Sequence, residues 1–174
     1  MIAFTIAGWS NSGKTSLIKE LIRFGKEQGR RVVTLKKVHG AYTLQPETKD
    51  TAQFLQAGAD QVYLLAQGEW LRLERTPAEE RILEIVAEHL GERDVLLLEG
   101  FGDPAVPVIE VYRAELGKGL KLPPERLAAL VTVGDPPPGL SIPVFSADDA
   151  ATVWHFMEHH RETRDHSAPA GGIK

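Results

Sequence analysis

The sequence predicts an α/β fold: a doubly wound, mostly parallel sheet with one β-hairpin inserted. Three observations carry this. Short apolar, β-branched runs alternate with segments of helical periodicity, the pattern of strands joined by helical crossovers. The run at 94–98 (Asp-Val-Leu-Leu-Leu) is almost continuously apolar, as a strand covered on both faces requires. Two extended runs, 61–66 and 69–74, are separated only by Gln67-Gly68, the spacing of a tight hairpin.

Each element has a local reason. Residues 2–7 are short, apolar and β-branched, and run into Gly8, so they read as a buried strand. Residues 14–28 read as a helix with Leu17, Ile18, Leu21, Ile22 and Gly25 on one face and Gly29 as its stop. A second strand covers 31–36, a loop 37–48, and a short helix 50–57 ends at Gly58. After the hairpin, Thr76-Pro77-Ala78-Glu79 has the N-cap, first-turn proline and capping-box acid of a helix start. Ile82, Leu83, Val86 and Leu90 form the expected buried stripe of that helix. Further strands are expected at 107–112 and 128–133, with a last short one at Val144-Phe145. Ser146-Ala147-Asp148-Asp149 caps a final helix to about residue 160. Residues 162–174 are polar and Gly/Pro-containing and read as a disordered tail, leaving a single domain over 1–161.

Composition narrows the functional classes. At 174 residues the chain has the length of one domain. Lys plus Arg number 20 against 24 Asp plus Glu, a net charge of −4, so whole-chain electrostatics favours no nucleic-acid partner. The absence of cysteine excludes disulfides, thiolate metal sites and cysteine nucleophiles, and suits a cytoplasmic protein. No run has the length of a membrane span. The apolar N-terminus lacks a basic lead, so no secretory signal is expected.

The motif that carries chemistry is Gly8-Trp9-Ser10-Asn11-Ser12-Gly13-Lys14-Thr15, a match to G-x-x-x-x-G-K-[ST], with Ser16 next in the helix. Its glycines let successive backbone N–H groups point at one anion, and the helix that follows adds its positive dipole end. Lys14 would reach the β- and γ-phosphates and the Thr15 hydroxyl would bind Mg²⁺. With a strand before it and a helix after it, the motif makes the fold one of the P-loop NTPase type.

Other candidates follow from strand ends. Glu99 closes an apolar strand and is expected either in the Mg²⁺ shell or positioning the attacking water; otherwise it is a solvated carboxylate. Asp50 reads equally as a plain N-cap or as an acid acting with the 37–48 loop over the γ-phosphate. Lys36, Lys37 and His39 cluster after the second strand, where they would suit phosphate, a second anionic substrate, or solvent alone. Asn11 is the only asparagine, so an Asn-Lys-x-Asp guanine reader is excluded; Asp135 in Thr132-Val133-Gly134-Asp135 is the substitute candidate, against a plain turn Asp before Pro136. His155-x-x-Glu158-His159 matches an inverted zinc-peptidase pattern, but nothing after it supplies a third ligand on a rigid element, and helix-end histidines are the better account.

Taken together, several of these segments resemble the MobB family, the molybdopterin-guanine dinucleotide biosynthesis proteins B. The carrying residues are Ala7 to Thr15 with Trp9 inside the loop, Leu35-Lys36-Lys37-Val38-His39, Lys49-Asp50-Thr51 with Ala57-Gly58-Ala59, Leu98-Glu99-Gly100-Phe101, and Ile109-Glu110-Val111-Tyr112-Arg113. The resemblance implies a homodimeric GTP-binding protein with weak GTPase activity. It also implies a partnership with the guanylyltransferase that attaches GMP to molybdopterin. It implies catalytic roles for Lys14, Glu99 and Asp50, metal roles for Thr15, Glu99 and Asp50, and adds Arg113 to the second-substrate candidates, with molybdopterin as the substrate concerned. Gly40, Gly102 and Val108 stand where the family often carries basic residues, which removes charge from where an anionic pterin would be held. A small P-loop metabolite kinase is the alternative enzyme, although residues 114–127 hold one arginine, Arg126, for a phosphate-clamping lid. A nucleotide-binding adaptor without turnover is the third reading.

Overall fold

The computed structural model describes residues 1–38, 49–66, 68–74 and 81–165. His39, the 39–48 stretch of the expected loop, and the Thr76-Pro77-Ala78-Glu79 start signal lie outside the described residues. Residue contacts divide the chain into two compact units, Met1–Lys37 with Gly91–Lys174, and Val38–Leu90.

The first unit contains β1 (Ile2–Ala7), α1 (Lys14–Glu27) and β2 (Val32–Lys36). After residue 90 it continues with β5 (Val95–Glu99), β6 (Val108–Arg113), β7 (Leu127–Val133), β8 (Val144–Ser146) and α4 (Ala150–Asp165). These strands form one six-stranded sheet in the order β2-β5-β1-β6-β7-β8. Every pairing in it is parallel. The strand order reverses around β1, so the carboxyl end of β1 opens onto the crevice where ligands bind such sheets.

Period-two alternation sorts the strand residues. Ile2, Phe4 and Ile6 of β1, Val95 and Leu97 of β5, and Ile109 and Val111 of β6 share one buried cluster with Leu17 and Leu21 of α1 and Val153, Trp154 and Met157 of α4. Over β6 and β7 the opposite face is covered by irregular chain instead: Leu120, Leu122, Leu140 and Ile142 pack on Val108, Leu127 and Leu130. The segment 117–122 between β6 and β7 is therefore part of the core's lid, with consequences for the site.

Helix α4 starts on Asp149, which accepts the Thr152 backbone N–H at 3.0 Å and its hydroxyl at 2.6 Å. These contacts hold the Asp149 carboxyl below the usual range. The helix runs to Asp165, past the point where polar composition suggested a tail from 162. Glu and Arg are good helix formers, and polarity alone does not stop a helix that is already packed. The helical histidines have local work: His155 lies edge-on to Phe24, and Glu158 bonds Arg30 at 2.7 Å.

The second unit contains α2 (Lys49–Gln56), β3 (Gln61–Ala66), β4 (Glu69–Glu74) and α3 (Ile82–Ala87). β3 and β4 form the expected antiparallel hairpin, with Leu65 opposite Trp70 and Val62 opposite Leu73. Val62 and Leu73 are buried, while Tyr63, Leu65 and Trp70 are exposed on the other face. The predicted stripe of α3 is half-buried at Ile82, Leu83, Val86 and Leu90, with none fully enclosed. Among the described residues no helix is long and apolar enough to cross a membrane.

Helices α1 and α4 approach closely at Gly25, where an added Cβ would fall 2.4 Å from the Trp154 ring and 2.8 Å from Val32 Cγ2. Gly25→Ala should therefore destabilise the protein by about 1–3 kcal/mol through overpacking, outweighing the ~1 kcal/mol that Ala gains over Gly in a helix. Urea unfolding measures the balance; a variant as stable as the parent or more so would mean that α1 and α4 can separate freely.

Candidate functional site

The turn after β1 carries the site. Gly8 and Gly13 have φ of 138° and 107°, and Asn11 has φ of 64°, the only positive value at a described non-glycine residue. Asparagine tolerates that left-handed conformation better than other side chains, which accounts for the single Asn of the chain standing there. Gly13 is the N-cap of α1 and provides no side-chain cap. The first N–H groups of α1 have no intrahelical acceptors and are left for an anion. Ser12 is buried beneath the loop, its Oγ without a hydrogen-bond partner among the described residues.

Ser10, Asn11, Gly13, Lys14, Thr15 and Ser16 line a cleft of about 450 Å³, with Lys36, Glu99 and Arg113 completing its wall. Parallel register explains the convergence. Lys36 at the end of β2 is the register partner of Glu99 at the end of β5, and Ile6 pairs with Glu99 from the other side. Lys36 Nζ lies 3.2 Å from Glu99 Oε2. Lys14 Nζ folds back across the loop to donate to the Trp9 carbonyl at 2.7 Å. Burial pulls the Lys14 ammonium below the usual lysine range; Glu99 opposes this, and Lys121 and Lys36 add to it by like-charge repulsion. Arg113 comes from β6, its Nη2 beside Gly13 and its Nε buried without a hydrogen-bond partner among the described residues. The cleft combines an anion-binding loop, one carboxylate and cations from separate strands, which is the equipment of a phosphate site.

Other sequence candidates are placed differently. Lys37 follows β2, donating its backbone N–H to the Glu99 carbonyl at 2.8 Å, and its side chain does not line the cleft. Asp135 is exposed in the turn after β7, next to β8, and also lies off the cleft wall. Asp50 is in the first turn of α2, in the other unit, and its side chain lies outside the description.

The chain also matches a family model, that of molybdopterin guanine dinucleotide synthesis protein B, over residues 3–133. The chain belongs to the MobB family. The Escherichia coli (strain K12) molybdopterin-guanine dinucleotide biosynthesis adapter protein is 28% identical over 164 residues, covering 90% of each chain. Its Haemophilus influenzae counterpart is 32% identical over 129 residues, 73% of this chain and 72% of that one. The crystal structure of Bacillus subtilis MobB superposes with a TM-score of 0.70 at 25% identity, over 91% of this chain and 97% of that chain. The MobB homologue from Bacillus stearothermophilus shares the fold, with a TM-score of 0.63 at 22% identity.

Sequence reasoning gave no role to one buried acid on the strand that carries Arg113. Glu110 is fully buried in β6, where its carboxylate accepts the backbone N–H groups of Lys121 at 2.5 Å and Leu122 at 2.9 Å. The signal was present: an acid in the middle of Val108-Ile109-Glu110-Val111 has no solvent-facing explanation in a strand with neighbours on both sides.

Lys14→Ala is expected to abolish triphosphate binding, since it removes the ammonium that spans the loop. Stability should change by no more than about 0.5 kcal/mol, because the packed face of α1 is elsewhere. Calorimetric titration of the folded variant checks this; affinity equal to that of the parent would exclude the loop as the binding site.

Proposed function

We propose that this chain binds GTP with Mg²⁺ in the cleft at the end of β1, hydrolyses it slowly, and serves as an adapter to the guanylyltransferase that attaches GMP to molybdopterin. The observation that carries the reading is the meeting of Lys14, Thr15 and Glu99 in one cleft walled by Lys36 and Arg113. The printed role of the curated relatives, adapter in molybdopterin-guanine dinucleotide biosynthesis, supplies the context.

The residues present suit the metal. Among the described residues no cluster of His, Asp or Glu could hold an ion by protein ligands alone. One hydroxyl (Thr15) and one carboxylate (Glu99), with phosphate oxygens and water making up the rest, match the way Mg²⁺ is held in nucleotide sites. Bound there, the metal would neutralise charge developing on the phosphates. Lys14 and the loop N–H groups would bind and orient the triphosphate. Glu99 would orient water or metal, and for this it must leave Lys36. That ion pair also favours a second reading, an adapter that binds nucleotide without turnover. Lys36 at the end of β2, Lys37 after it and Arg113 of β6 would meet molybdopterin. Homodimer formation and a cytoplasmic location complete the proposal; sedimentation velocity tests the former.

Glu99→Gln keeps the shape and removes the charge. GTP binding should persist, while hydrolysis slows or its Mg²⁺ dependence weakens. A phosphate-release assay yielding parental rate and Mg²⁺ dependence would leave Glu99 as a strand-end carboxylate, and an undetectable parental rate would select the adapter without turnover.

For base choice, Asp135 at the carboxyl end of β7 is the proposed guanine reader, accepting from N1–H and the exocyclic amine. Asp135→Asn turns one of these contacts repulsive, a loss of about 1.5–3 kcal/mol, or roughly ten- to a hundredfold in GTP affinity. ATP binding should barely move. The ratio of the two dissociation constants is the measurement, and an unchanged ratio moves base reading to other groups, such as the backbone near Ser146-Ala147.

A further inference from the structure

The crossover between β6 and β7 does more than cover the sheet. Gly117 turns the chain with φ of 61°, and the strap of residues 117–122 then touches the phosphate loop at Trp9 and Gly8. Trp9, inside the loop, donates its indole N–H to the Gly119 carbonyl at 2.8 Å. The Lys118 ammonium lies 4.9 Å from the centre of the Trp9 ring. Lys121 Nζ lies 3.5 Å from the carbonyl oxygen of Gly8, the first residue of the loop. The strap is anchored from behind by Glu110, whose buried carboxylate receives the Lys121 and Leu122 N–H groups.

A buried carboxylate is an expensive way to hold an irregular segment, since it must be fully hydrogen-bonded to be tolerated at all. Leu120 and Leu122 already hold the strap by apolar packing. What Glu110 adds is position: it sets the backbone from which Lys121 reaches the loop. The result is a further positive charge at Gly8, behind the cleft wall rather than on it, and one of the like charges that act with burial to lower the Lys14 ammonium. Like charges held together by a buried anchor are relieved by an anion between them, so phosphate binding and strap docking must favour each other reciprocally.

We infer that Lys121 is a phosphate-affinity residue of this loop and that Glu110 is the positioning residue that places it, with Trp9 joining the strap to the loop. The inference rests on the nucleotide reading of the cleft. It also makes Trp9 a reporter. Trp154 is buried at 1% exposure and Trp70 belongs to the hairpin unit, so Trp70→Phe leaves Trp9 as the responsive indole.

The test titrates full-length protein carrying Trp70→Phe with GTP·Mg²⁺ and with inorganic tripolyphosphate, which lacks a base, at low and moderate salt. Calorimetry and tryptophan emission are both read. Lys121→Met should raise both dissociation constants about tenfold, the loss of one charge-assisted phosphate contact, and flatten their salt dependence. Glu110→Gln should raise them similarly and remove the ligand-induced change in Trp9 emission, a readout that a merely structural role would leave intact. Lys121 is exposed, so Lys121→Met remains decisive if Glu110→Gln fails to fold. Dissociation constants for Lys121→Met within twofold of the parent would overturn the inference while leaving the nucleotide reading in place. A parent protein that binds neither ligand would overturn both.

Discussion

The geometry of the cleft depends on how closely the turn after β1 can approach β6. A Cβ at Gly8 would fall 2.4 Å from the Val111 carbonyl oxygen and 2.7 Å from Ser12 Oγ. No side chain fits there, and the φ of 138° is one that L-residues rarely adopt. Because the loop is pressed onto β6, the next residues curl with their N–H groups outward, α1 begins directly above the sheet, and Arg113 of β6 comes alongside Gly13. A bulkier residue at this one position would lift the loop from the strand and disperse the groups that line the cleft.

Charge distribution follows from the same parallel pairing. Register brings Lys36 of β2 level with Glu99 of β5, and Arg113, four residues past the level of Glu99 on β6, reaches the same cleft from beyond it. The lone carboxylate is matched to Lys36, and Lys14 is pulled below its usual range by burial and by the like charges around it. A chain with an overall charge of −4 thus concentrates positive potential at one crevice. Local focusing, not net charge, is what attracts an anionic ligand to a cleft.

The two-unit organisation is also set by the sheet. β2 and β5 are neighbours, yet the whole Val38–Leu90 unit lies between them in sequence. The unit that carries the Gly8–Thr15 loop is therefore completed by strands that flank an insertion, and the insertion brings its own hairpin with Tyr63, Leu65 and Trp70 exposed. The Escherichia coli relative named as an adapter matches over 90% of this chain and 90% of its own length.

Much was legible in the sequence, because short-range rules decide it. The strand starts and ends, the α1 face of Leu17 and Leu21, the hairpin around Gln67-Gly68 and the loop from Gly8 to Thr15 all follow from periodicity and from backbone demands that neighbouring residues alone impose. Glu99 was legible for the same reason, as an acid at the end of an apolar strand. Its partner Lys36 was decided by register, and the arrival of Arg113 in the cleft by the assembly of strands far apart in the chain. α4 reaches Asp165, past the start of the expected polar tail, because Glu and Arg sustain a helix once it has begun. Glu110 and Lys121 were invisible as a pair. A buried carboxylate is permissible only where backbone N–H donors converge on it, and those donors arrive from a crossover whose path only the tertiary structure determines.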